Sequence, residues 1–79
     1  LSEYDEAISC YDQVLTDKPK NMTAIYNKAS SLVKKGDTGQ GLHLLAHIIK
    51  IDYSFKYKAK FDIDFQHLRG SPDFEKIID

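Results

Sequence analysis

A chain of 79 residues supports one small domain at most, and at that size folding buries only about 60% of the surface the unfolded chain exposes. Its 11 basic side chains nearly balance 12 acidic ones, which argues against a general nucleic-acid binder. No apolar run approaches the roughly 20 residues of a membrane span, and no signal-peptide pattern opens the chain. The single cysteine, Cys10, excludes an internal disulfide and fits a reducing compartment, so a cytoplasmic location is expected. Leu1 is not a natural start, and the sequence reads as a piece of something longer.

The first element is an amphipathic helix. Ala7, Ile8, Tyr11, Val14 and Leu15 recur three or four residues apart on one face, with Asp5, Asp12, Gln13 and Thr16 on the other. Ser2 followed by Asp5 suggests a capping box, and Pro19 stops the helix by biasing Lys18 away from helical geometry. Asn21 is the expected N-cap of a second helix over Met22 to Lys35, with Met22, Ile25, Ala29 and Leu32 as its apolar stripe. Lys34 and Lys35 suit its negative end, and Gly36 supplies the left-handed residue that terminates it. Asp37 is expected to cap a third helix, with Gln40 in the reciprocal slot and Leu42, Leu45, Ile48 and Ile49 turned inward as far as about Ile51.

From Asp52 onward the elements shorten. Phe55 and Ala59, four apart, read as core contacts of a short helix. Asp64 is the expected cap of the "FQHLR" helix, and Ser71 before Pro72 starts a last one. No segment alternates with period two, so the fold class is all-α.

Helices one and three coincide when shifted by 34 residues: Ala7 falls on Gly41, Ile8 on Leu42, Tyr11 on Leu45, Val14 on Ile48 and Leu15 on Ile49. A helix-turn-helix period of 34 is that of the tetratricopeptide repeat. "YDEAISCYDQVLTDKP" resembles the second helix of such a repeat, with Ala7, Tyr11, Val14 and Pro19 in its small, aromatic, small and proline slots. "NMTAIYNKASSLVKKGD" is similar to a first helix, with Ile25 in the large-apolar slot, Ala29 in the small one and Leu32 in the aromatic one. Gly41 stands where alanine is usual at the tightest helix–helix contact, Lys28 where leucine is usual, and Tyr53 where the repeat ends in proline. The resemblance implies an antiparallel helix-turn-helix solenoid: residues 1–21 as the second helix of a partial repeat, 22–55 as a complete repeat, and 56–79 as C-terminal cap helices.

It also implies a groove, lined by the first helices of the repeats, that holds a peptide or helix of a partner protein. The lining residues carried over are Thr23, Tyr26, Asn27, Ser30, Val33 and Lys34, joined by Tyr57 and Lys60. Asn27 can bond an extended backbone as donor and acceptor, Lys34 and Lys60 can meet a carboxylate, and Tyr26 offers a rigid apolar face with a polar tip. One subgroup of the family clamps the C-terminal carboxylate of chaperone tails. Asn27 matches that clamp, whereas Tyr26, Tyr57 and Phe61 stand where further clamp groups are expected.

Other chemistries are poorly supplied. His43 and His47 share a helix face but lack a third ligand, and Asp62, Asp64 and Asp73 lack the spacing of a calcium loop. Lys56, Lys58 and Lys60 alternate with aromatics, but residues two apart on a helix diverge and form no compact phosphate-binding patch. Cys10 reads as an inert, partly buried thiol with no base beside it, and Asn21 as a cap rather than a glycosylation site. The expectation is a non-enzymatic protein-interaction module with no metal, no cofactor, no nucleic acid and no membrane as partner. The alternative is structural self-association, in which two copies pair through the apolar face of helix one.

Overall fold

The computed structural model describes residues 2–79, and Leu1, where the expected partial repeat begins, lies outside them. Five α-helices and one 3-10 helix follow one another, with no strand among the described residues: α1 (Glu3–Asp17), α2 (Met22–Lys35), α3 (Thr38–Ile51), α4 (Ser54–Phe61), the 3-10 helix η1 (Ile63–Leu68) and α5 (Pro72–Ile78). The fold is all-α.

The ends of the helices have local causes. The Ser2 hydroxyl accepts from the Asp5 amide at 3.1 Å and donates to the Asp5 carboxylate at 2.9 Å, so both halves of this cap run through one hydroxyl. Lys18 leaves helical geometry before Pro19, as the sequence dictates. Asn21 accepts from the Ala24 amide at 3.1 Å and opens α2. At its other end Gly36 sits at φ 106°, where a side chain would be strained, and the Asp37 amide reaches back to the Leu32 carbonyl at 2.8 Å. Asp37 itself corrects an expectation: it occupies the N-cap position of α3, but its side chain makes no capping bond.

α1 and α2 run antiparallel, since Asp5 pairs with Lys35 and Asp12 with Lys28, both at 2.6 Å. Lys28, polar where the repeat pattern has leucine, is thereby used at this contact. α3 returns antiparallel against α2, with Gly41 opposite Ala29 and Val33 beside the two-residue turn. A Cβ on Gly41 would lie 2.6 Å from Val33 Cγ2 and 2.8 Å from the Ala29 carbonyl oxygen, so the two backbones meet there as only glycine allows. Gly39 touches nothing on that side, and the structure gives no packing reason for it.

α2 is the central element: Ile25, Tyr26, Ala29 and Val33 share one buried cluster with Leu42, Leu45 and Ile48 of α3, Ala59 of α4, Phe65 and Leu68 of η1, and Phe74 and Ile78 of α5. α1 is peripheral and buries no residue fully. Ala7, Ile8, Tyr11 and Leu15 are half-buried against α2, while Val14, expected on the packed face, is exposed.

Candidate peptide-binding groove

Tyr26, Ser30 and Lys34 stand four residues apart, so they line one side of α2. η1 lies across that side and brings two carboxylates to it. The Tyr26 hydroxyl donates to Asp62 Oδ2 at 2.6 Å, the Ser30 hydroxyl donates to Asp64 Oδ2 at 2.9 Å, and the Lys34 ammonium lies 3.1 Å from that same oxygen. The other Asp62 oxygen accepts the Asp64 amide at 2.9 Å and caps η1. The expected roles are therefore redistributed: Asp62, not Asp64, is the cap, and Asp64 faces α2.

Apolar contacts lock this arrangement. The Phe65 ring meets Tyr26 edge-on at 5.8 Å and stacks on Phe74 at 6.0 Å, while Phe55 lies 5.5 Å from Tyr26 on the α4 side. Lys58 sits 4.8 Å above the Tyr26 ring. Burial, followed by the hydrogen bond to Asp62, pushes the Tyr26 phenol well above its usual range, so it remains a donor. The Asp64 contact raises the Lys34 ammonium, opposed by partial desolvation.

This divides the expected lining residues. Tyr26 is only 2% exposed, and Ser30 and Val33 are also buried, so these three belong to the packing of α2 and do not offer an outer face. Lys34 remains exposed but already holds a carboxylate. Thr23 is exposed and Asn27 half-buried, with no side-chain hydrogen bond to either among the described residues. On α4, Lys60 is exposed and Tyr57 is 55% exposed.

Tyr57 does not stand alone on α4. Tyr53, Tyr57 and Phe61 recur every four residues along the outer side of α4, with Tyr53 and Tyr57 edge-to-face at 5.9 Å and Phe61 72% exposed. The Lys56 ammonium donates to the Tyr53 hydroxyl at 2.7 Å. Lys56 and Lys60, four apart, flank this stripe together, although Lys58 points elsewhere, over Tyr26. The spacing of four was the available signal.

Cys10 is exposed rather than partly buried. His43 and His47 are exposed on α3, and among the described residues no three His, Cys, Asp or Glu side chains converge as a metal site. No described helix is long and apolar enough to cross a membrane.

No known protein family matches the chain, and no solved structure matches it at a significant level. Among curated proteins it is similar to a chloroplastic protein of Arabidopsis thaliana, with 30% identity over 79 residues that take in 96% of this chain and 24% of the relative. The chain spans about a quarter of that relative's length.

Proposed function

We propose that this chain is part of a tetratricopeptide-type array and acts as a non-enzymatic module that holds a peptide or helix of a partner protein. Three features support the array reading. The 34-residue register of α1 and α3 is one, and the antiparallel order of α1, α2 and α3 is another. The third is the glycine-only approach of α3 to α2 at the position where that repeat packs tightest. The observation that carries the binding role is the exposure of Thr23, Tyr57 and Lys60 and the half-exposure of Asn27, which together offer an amide, an aromatic face and an ammonium free of any carboxylate among the described residues. The compartment proposed is a reducing one: the cytoplasm, or the chloroplast if this chain shares the location in its plant relative's name.

The test is affinity capture with the native chain and with a combined Asn27→Ala, Tyr57→Ala and Lys60→Ala variant of unchanged helicity. A protein retained by the first and lost by the second supports the groove. The same proteins retained by both would refute it.

A second reading, pairing of two copies through α1, draws on the absence of any fully buried residue in that helix and on the exposure of Tyr4 and Val14. Sedimentation over a concentration series decides it, since a monomer throughout removes that reading.

A further inference from the structure

A cavity of about 490 Å³ lies between the α1–α2 turn, the first turn of α2 and the last turns of α3. Pro19, Lys20, Met22, Ile25, His47 and Ile51 line it. Met22 and Ile25 lie on the opposite side of α2 from Thr23 and Asn27, so this cavity is separate from the peptide groove. Its volume falls within the range of about 300–1,000 Å³ typical of small-molecule sites. Four of its lining side chains are hydrocarbon or thioether, and methionine adapts its shape to what it meets.

The two remaining side chains set the polarity. Lys20 and His47 form no hydrogen bond or ion pair with any described side chain, and no carboxylate lines the cavity. The lysines of α2 behave differently: Lys28, Lys34 and Lys35 each hold an aspartate within 3.1 Å. An unpaired ammonium and an imidazole beside apolar walls complement a ligand with an apolar body and one anionic head. A compact hollow of this kind does not present the long groove or sheet edge that a helix or strand requires.

We propose that this cavity binds a small amphiphilic carboxylate, such as a medium-chain fatty acid. The alkyl body packs on Met22, Ile25 and Ile51, and the carboxylate meets Lys20 and His47. The site is independent of the peptide groove, and either can fail without the other.

The test follows amide resonances of the chain during titration with decanoate, in parallel with decanol and decylammonium, which keep the body and change the head. Decanoate should give saturable shifts at Met22, Ile25, His47 and Ile51, with decanol at least about tenfold weaker and decylammonium weaker still. Ile51 is 63% exposed, so Ile51→Glu leaves the fold intact while placing a like charge at the mouth. It should weaken decanoate by at least about tenfold, and Lys20→Ala by a similar factor. Equal binding of decanoate and decylammonium would overturn the proposal, as would undiminished affinity in Ile51→Glu, shifts spread over α1 and α4, or no saturable response.

Discussion

The α2 side carrying Tyr26, Ser30 and Lys34 and the α4 side carrying Tyr53, Tyr57 and Phe61 are built on the same helical spacing, yet one is closed and the other open. On α2, every polar tip is occupied by the carboxylate of Asp62, which caps η1, or of Asp64 within it, and the Tyr26 ring is held between Phe55 and Phe65. On α4, Tyr53 and Tyr57 contact each other, Lys56 reaches the Tyr53 hydroxyl, and Tyr53, Tyr57 and Phe61 each stay more than half exposed. An aromatic side chain at a groove position thus has two fates, and the choice depends on whether downstream chain supplies both a polar partner and an apolar anchor. The surface left open for the proposed partner therefore comprises Thr23, Asn27 and the outer side of α4 rather than the centre of α2.

The strongest way to break this contrast is to remove the anchor of the closed side. Phe65 is fully buried against Tyr26 and Phe74, so Phe65→Ala should cost about 3–5 kcal/mol, a large share of the roughly 5–15 kcal/mol that a domain possesses. Urea denaturation followed by helical circular dichroism measures this. A loss under about 1 kcal/mol would mean that η1 is not part of the cooperative core.

Removing only the polar contact should matter less. Tyr26→Phe keeps the ring and deletes the donor to Asp62, for an expected loss of about 1–2 kcal/mol at neutral pH. The pH dependence has a definite sign. The unfolded phenol gives up its proton near 10.0, whereas in the folded chain burial and then Asp62 hold the proton to a higher pH. The stabilisation is therefore complete below that value and is lost as pH rises beyond it toward the raised native value. The native chain should lose stability more steeply than Tyr26→Phe as pH rises above about 10, and parallel profiles there would show that the phenol is not held protonated.

What the sequence revealed, and what it concealed, follow the distance over which each feature is determined. α1 to α3 were legible because their signals are local: the three-to-four-residue spacing, Pro19, Asn21 and the Gly36 turn at φ 106°. The short helix after Tyr53 was legible in its core contacts, since Phe55 and Ala59 do face inward. The closure of α2 was not legible, because Tyr26 and Asp62 are 36 residues apart, and only the fold brings them together. Considered alone, Asp62 and Asp64 read as carboxylates without the spacing of a calcium loop, and Asp64 as a helix cap. Even a cap can mislead at this level: Asp37 has the right residue type and position, yet its side chain forms no bond.

The smallest expected effect on stability makes the sharpest test of the contrast. Tyr57 is more than half exposed and touches Tyr53 edge-on, so Tyr57→Ala forfeits little packing and should change stability by less than about 1 kcal/mol. Its effect on binding should be disproportionate, because a rigid aromatic ring at an interface is a common energetic centre. A loss of about 2 kcal/mol corresponds to roughly a 30-fold rise in Kd for the captured partner. Tyr26→Ala in parallel would instead destabilise the fold and weaken binding only in proportion to the fraction unfolded. If Tyr57→Ala left both stability and affinity unchanged, α4 would be a solvated surface, and the contacts would have to lie on Thr23, Asn27 or a surface beyond both helices.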